Sequence, residues 1–251
     1  GDIDMGGGHL HPLRYALGLA RAAAAAGVRI HEHSTVRRIG DSDPALVETA
    51  AARITARHVL LACNGYLGHL EARTAARVMP INNFIVATEP LSPEARKAVL
   101  SADHAVADSK FVINYFRFSE DNRLLFGGGE SYGYRFPDIA RLVRKPMVEI
   151  FPQLRDAKIT HAWGGTLGIT LNRMPHFERL KGNILTASGY SGHGVALATL
   201  GGQLAAEAIA GQAERFDLMA RVPTRPFPGG VALRWPLLVL AMAWFSLRDR
   251  L

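Results

Sequence analysis

Gly189-Tyr190-Ser191-Gly192-His193-Gly194 follows the apolar run Asn183-Ile184-Leu185-Thr186-Ala187 and precedes a helical stretch, Val195 to Ala210. The run reads as a strand. The glycines of the next turn let its backbone approach a neighbour closely. Free N–H groups at the helix start then face that neighbour, with the positive end of the helix dipole behind them. A strand, a glycine loop and a helix in this order make a cradle that suits an anion.

Working outward, the rest of the chain supplies the frame for that loop. Gly6-Gly7-Gly8 is a turn, and Pro12 is well placed at the first position of a helix. Leu13, Leu17, Ala20 and Ala24 recur at helical spacing and predict a buried stripe. Gly27 caps that helix, and Val28-Arg29-Ile30-His31-Glu32 reads as a strand that Thr35 to Ile39 extends or pairs with. Ala45 to Thr55 reads as a degenerate hairpin. His58-Val59-Leu60-Leu61-Ala62 is nearly continuously apolar, as suits a central strand buried on both faces, and Asn64-Gly65 ends it. After Met79-Pro80 the composition shifts to aromatic strand-like segments, Asn83 to Thr88, Phe111 to Phe118 and Arg123 to Gly128. A helix over 137–151, offset at Pro146, and a strand from Ile159 to Gly165 lead back to the Gly189 unit. Helix–strand units, an antiparallel insertion and a returning strand–helix unit predict an α/β nucleotide-binding domain interrupted by an antiparallel substrate domain.

Composition narrows the function classes. The chain has 251 residues, 48% apolar and 20% charged, enough to fill a core. Its net charge is +7, but Lys and Arg are scattered and no aromatic RNA-binding motif accompanies them, so nucleic acid is not an expected partner. The single cysteine, Cys63, excludes an internal disulfide and fits a reducing, cytoplasmic setting with no signal peptide. Histidines and cysteines show no metal-ligand spacing. The run from Trp235 to Leu247 falls short of the roughly 20 residues of a membrane span. It predicts a C-terminal helix packed on the body and leaves peripheral membrane contact open.

The chain resembles the FAD-dependent amine and amino-acid oxidoreductases of the D-amino-acid oxidase group. The resemblance rests on His11-Pro12 with its Ala-rich helix, Leu60 to Gly65, Arg123 to Gly128, Trp163-Gly164-Gly165 through Thr170 to Pro175, and Gly189 to Gly194. The tail Pro226 to Gly230, with Leu247-Arg248-Asp249, looks most like the gamma-glutamylputrescine oxidase branch. It implies a Rossmann-like FAD domain at 1–78, an antiparallel substrate domain at 79–160, a return of the FAD domain at 161–215 and a tail at 216–251. The family's G-x-G-x-x-G fingerprint has no counterpart here and is expected upstream of Gly1, so the resemblance implies that the chain is a fragment.

Several residue roles follow from the resemblance. Gly189, Tyr190, Ser191, Gly192, His193, Gly194 and Val195 wrap the pyrimidine side of the flavin, where backbone donors stabilise the reduced state. Ala62, Gly65 and Gly165 adjoin the cofactor closely, and the backbone of Val36 holds the adenine, although Val36 also reads as a plain strand-core valine. Trp163, Tyr190 and His193 are the candidate catalytic residues, with His193 neutral at the helix start. Tyr115 and Phe116 are further candidates for the pocket, or for aromatic core. Glu130 is a candidate partner for a cationic substrate, or a solvated surface residue.

Three departures carry information. Leu167 stands where amino-acid-oxidising relatives place a carboxylate-gripping arginine, which favours an amine substrate unless Arg117 or Arg173 substitutes. No cysteine lies between Trp163 and Thr170, which favours noncovalent FAD. Leu125 stands where oxidases present a lysine, which leaves oxygen or another acceptor open. The implied reaction is oxidation of a C–N bond in a gamma-glutamylputrescine-like amine, with hydride passing to the flavin and the imine then hydrolysing. An amino-acid or N-methyl-amino-acid oxidase is the alternative of the same class. A non-catalytic fragment, or a subunit needing a partner to bind FAD, is the alternative of another class.

Overall fold

A computed structural model describes residues 1–110, 113–131 and 137–248. In chain order the elements are α1 (Pro12–Ala25), β1 (Val36–Ile39), β2 (Ala45–Thr49), β3 (Arg53–Ala56), β4 (Val59–Leu61), α2 (Ala72–Ala75), β5 (Met79–Pro90), α3 (Pro93–Val99), β6 (Val106–Ala107), β7 (Tyr115–Phe118), β8 (Arg123–Ser131), α4 (Ile139–Ile150), β9 (Ile159–Ile169), β10 (His176–Lys181), β11 (Ile184–Ser188), α5 (Gly194–Ile209), α6 (Glu214–Ala220) and α7 (Gly230–Arg248). The fold class is mixed α/β. The chain divides into two compact units, Gly1–Gly18 with Asn82–Gly165, and Leu19–Ile81 with Thr166–Leu251.

The first unit is built on a five-stranded sheet in the order β6-β7-β8-β5-β9. Period-2 alternation puts Phe84, Val86, Phe116, Phe118, Leu124 and Phe126 on one face, and all are buried. Val143 and Met147 of α4 close that face, with no exposed surface of their own. The rings of Phe116 and Phe126 stack with centroids 5.7 Å apart, and Phe151 meets Phe116 edge-on at 5.0 Å. Phe116 is therefore core and not pocket lining, because its strand position points it at α4. Asp138 caps α4 by accepting the Arg141 N–H at 3.1 Å, and Pro146 is contained within the helix.

The second unit carries two three-stranded sheets, β1-β2-β3 and β10-β11-β4. β1, β2 and β3 are antiparallel, with Val47 opposite Ile54 at the hairpin. β10 and β11 are antiparallel, whereas β11 and β4 are parallel, with Leu185 beside Leu60 and Thr186 beside Leu61. Every residue of β11 is buried. α5 and α6 supply Leu204, Ala205 and Phe216 to the core over Phe177, Leu185 and Ala187. Phe177 and Phe216 meet edge to face at 5.5 Å.

The structure corrects several expectations. The place of a strand buried on both faces falls to β11, because β4 lies at the sheet edge with only Leu61 fully buried. Val28–Glu32 forms no strand, and Val28 and Ile30 are each 55% exposed. Extended backbone needs a neighbouring strand to take its N–H and C=O groups, and this stretch has none among the described residues. The α1 stripe is not buried either: no residue of α1 is buried, and Leu13 is 62% exposed. α7 begins five residues before Trp235 and carries Pro236 within it. It is anchored at its start by Arg234, which donates to the carbonyls of Ala75 and Val78. Leu237 and Leu240 are exposed. No helix among the described residues is long and apolar enough to cross a membrane. Phe111, the Glu130 side chain and Asp249 lie outside the described residues.

The stacked, fully buried ring of Phe126 gives a direct test of the first core. Phe126→Ala is expected to cost about 3–5 kcal/mol, measured as a lowered midpoint in guanidinium unfolding with the slope unchanged.

Candidate functional site

The site is assembled in the second unit where β4 and β11 end side by side. Parallel pairing delivers both carboxyl ends to one edge, the place where open α/β sheets bind ligands. After β4 the chain passes exposed Ala62 and enters a tight turn over Asn64–Tyr66. Asn64 takes a left-handed φ of 48°, which Asn tolerates better than most residues. Its Oδ1 accepts the Gly189 N–H at 2.9 Å and so ties the two strand ends together. Both adjoining glycines are required sterically. A Cβ on Gly65 would sit 2.7 Å from the carbonyl oxygens of Thr166 and Leu167. Gly189 has φ +73°, and a Cβ there would meet Thr170 Cγ2 at 2.5 Å.

The loop is held from beneath by a short polar network. The Ser191 N–H donates to the Gly168 carbonyl at 2.9 Å, and Ser191 itself has φ +51°. Ser191 Oγ donates to the Gly189 carbonyl at 3.2 Å and accepts the Thr170 N–H at 3.3 Å. Tyr190 is 6% exposed and donates its hydroxyl to the Ala187 carbonyl at 3.0 Å. Burial pushes its phenol up to about 12, so it stays neutral and acts as a pin under the loop.

Above this network the start of α5 is bare. His193 precedes the helix, is exposed, and makes no side-chain cap, while its N–H donates to the Tyr190 carbonyl at 2.9 Å. Among the described residues the N–H groups of Gly194, Val195 and Ala196 find no acceptor. Three other helices of this chain start with a side-chain cap. Glu71 accepts two N–H groups at the start of α2, Ser92 caps α3 and Asp138 caps α4. α5 also has no acidic residue in its first turn, so roughly half a unit of positive charge is left uncompensated there. Gly192 is exposed, with open space where a Cβ would stand. This end of the helix can hold an electron-rich, partly anionic edge of a ligand. It suits the pyrimidine end of a flavin, which needs backbone donors and a close approach.

A second buried group lies under the same turn. His176, at the start of β10, is 4% exposed, and its Nε2 has no hydrogen bond among the described residues. Burial lowers its pKa to about 4, and Arg77 and Arg73 act in the same direction against Glu71. Glu178 Oε2 stands 3.4 Å from that nitrogen, but the carboxylate is already engaged by Arg73 through its other oxygen. Desolvation outweighs this contact, and His176 is neutral at neutral pH.

The remaining expected site residues are dispersed. Val36 opens β1 in the other small sheet of the second unit and is half-buried. Trp163, 43% exposed, and Gly165 lie on β9 within the first unit. Tyr115, also in the first unit, lies on the opposite face of its sheet from Phe116. Cys63 is half-buried, and burial pushes its thiol up. Sequence reasoning missed the side-chain role of Asn64, although an Asn-Gly pair at a strand end is the signal for it. It also missed the Thr170–Ser191 network, whose members carry no pattern in sequence.

A parallel strand pair, a glycine loop and an open helix start, with an antiparallel unit between the two strands in sequence, suit an α/β protein of the flavin-binding class. The chain belongs to the DAO family of FAD dependent oxidoreductases, which it matches over residues 3–208. It is 45% identical over 251 residues to gamma-glutamylputrescine oxidoreductase of Escherichia coli strain K12, covering 99% of this chain and 59% of that protein. It is 46% identical over 249 residues to the probable oxidoreductase OrdL of Rhizobium meliloti, covering 98% of this chain and 58% of that one. The chain thus spans less than two thirds of the curated relatives it matches. Among solved structures, glycine oxidase from Geobacillus kaustophilus shares the fold with a TM-score of 0.70 at 23% identity, over 84% of this chain and 57% of that one. L-proline dehydrogenase from P. horikoshii gives a TM-score of 0.66 at 22% identity, over 79% and 55%.

Two measurements test this construction. Asn64→Ala leaves the Gly189 N–H without its acceptor and is expected to destabilise the second unit by about 1–3 kcal/mol, seen in denaturant unfolding. His176 gives a pH signature. Above pH 6.5 the imidazole is neutral in both folded and unfolded chains, so it adds no slope. As pH falls from 6.5 to about 4, the unfolded chain takes up a proton that the folded chain refuses, and stability drops. The loss is about 3 kcal/mol across that window. His176→Gln should remove this component from the pH dependence of unfolding.

Proposed function

We propose that the protein containing this chain oxidises a C–N bond of an amine, with noncovalent FAD, and that its substrate is of the gamma-glutamylputrescine type. The bare start of α5 beside the Asn64–Gly189 junction carries this reading. The 45% identity to gamma-glutamylputrescine oxidoreductase supports it along the whole chain. FAD, when bound, supplies the hydride acceptor.

The chain's own residues then have distinct tasks. The N–H groups of Gly194, Val195 and Ala196 would hold an electron-rich edge of the flavin and stabilise negative charge there, and Gly192 leaves room for the approach. His193 stands at that helix start as a positional residue. Ala62 and Gly65 present small strand-end surface to the ring, and the Val36 backbone serves the adenine. Gly165 keeps β9 slim beside Trp163, and Trp163 offers an apolar wall to an alkyl amine. Leu167 gives a substrate carboxylate no charged partner at the position where amino-acid oxidases grip one, which favours an amine over an amino acid. The half-buried, protonated state of Cys63 supports noncovalent attachment.

The test is anaerobic mixing of the protein, expressed from its full reading frame and loaded with FAD, with gamma-glutamylputrescine. Bleaching of the oxidised flavin band is expected. Turnover of glycine or sarcosine with no response to polyamine conjugates overturns the proposal. Gly189→Ala, strained at φ +73° and crowded by Thr170, is expected to lower bound FAD at least tenfold in equilibrium titration.

A further inference from the structure

The five-stranded sheet of the first unit has an outer face, opposite its aromatic core, and that face is not uniformly apolar. Strand alternation places Asn83, Ile85, Tyr115, Arg117, Leu125 and Gly127 on it. Tyr115, Gly127 and Ile85 lie in one row across β7, β8 and β5. A Cβ on Gly127 would fall inside the Tyr115 ring, so the ring lies flat across the glycine. This posture carries the phenol over β8 to β5, where it donates a hydrogen bond to Asn83 Oδ1. Arg117, on the same face, is occupied by the carbonyls of Leu10 and Phe118.

A ring that only fills the hollow at Gly127 needs no hydroxyl, and phenylalanine would fill it as well. A phenol and a carboxamide on a half-buried face cost desolvation that an apolar pair would not. Their pairing also leaves a defined remainder. With its carbonyl taken by Tyr115, Asn83 has both N–H donors of its amide without a partner among the described residues. The Tyr115 oxygen keeps its acceptor lone pairs, and burial holds the phenol neutral, up at about 12. A donor and an acceptor side by side, on rigid strands, match the C=O and N–H of one secondary amide.

We infer that Asn83 and Tyr115 form the amide-reading subsite of the substrate sheet, selecting an N-acylated diamine over a free diamine. This rests on the amine-oxidation reading above and names what that site recognises at the non-reacting end of the substrate. The subsite binds no carboxylate, since Arg117 is engaged elsewhere, and it moves no proton. Its work is to set how far along the sheet the alkyl amine reaches.

The experiment compares N-acetylputrescine with putrescine in the FAD-loaded protein expressed from its full reading frame, before and after Tyr115→Phe and Asn83→Ala. Each variant should lower the ratio of kcat/KM for the amide over the free diamine about tenfold, one hydrogen bond's share of binding. The inhibition constant of N-butylacetamide, which has the amide and no amine to oxidise, should rise by a similar factor. A general loss of stability would lower both substrates together and leave the ratio alone. An unchanged ratio with an unchanged inhibition constant overturns the subsite. If the unaltered protein oxidises neither diamine, the proposed activity fails, and the dissociation constant of N-butylacetamide, titrated by its perturbation of the flavin absorbance in the unaltered protein and both variants, still decides the subsite.

Discussion

The bond from the Gly189 N–H to Asn64 Oδ1 is the constraint on which the rest of the second unit depends. Parallel strands are joined by ladder bonds along their length, but nothing in a ladder fixes what happens after the last rung. Here β4 and β11 finish within a residue or two of one another, and one side chain decides the relative placement of the two departing turns. Both turns also press on a third segment: a Cβ on Gly65 would meet the Thr166 and Leu167 carbonyls, and one on Gly189 would meet the Thr170 methyl group. Ser191 and Thr170 then secure the third segment, the end of β9, against the same loop.

What could be read from the sequence was what backbone conformation writes into residue type. The Gly189 loop, the strand before it and the helix after it are marked by glycines where φ is positive and by an unbroken apolar strand. The aromatic alternation of β7 and β8 likewise dictates which face is core, although it does not tell Phe116 from Tyr115 until the pairing is known. Other features depended on partners. The stripe of α1 and the Val28–Glu32 run have the right periodicity for burial, yet periodicity states a capacity to be covered and not what covers it. β10 reads His-Phe-Glu-Arg-Leu-Lys, a strand whose outward residues are charged, and it becomes a strand only because β11 gives it a ladder. Asn64 reads as a turn residue, and its service as an acceptor for a residue 125 positions away is not a local property.

The two units build different kinds of surface. A parallel edge followed by a helix supplies N–H groups and a dipole, which favour negative charge and do not discriminate much between ligands. An antiparallel sheet supplies rows of side chains at fixed spacing, which can distinguish one substrate end from another. Tyr115 and Asn83 are held on strands whose opposite sides are locked by the stacked rings of Phe116 and Phe126. Recognition placed on such a floor loses little to side-chain ordering, which is the condition for a neutral hydrogen bond to discriminate at all.

The treatment of helix starts gives the electrostatic logic of the chain. α2, α3 and α4 each receive a side-chain acceptor, so at least one terminal donor of each is satisfied within the chain. α5 is the longest helix of this comparison, it follows the most constrained turn, and it receives none. Filling that terminus with an Asp or Ser in place of His193 would stabilise the helix by a typical cap energy of about 1 kcal/mol. The chain forgoes that local stability, and the rigid turn beneath holds the bare donors still. Under the proposed function, negative charge developing there would meet dipoles already oriented toward it, with little reorganisation to oppose the change. In this fold a stable loop and an unsatisfied helix are two parts of one arrangement, and neither would serve without the other.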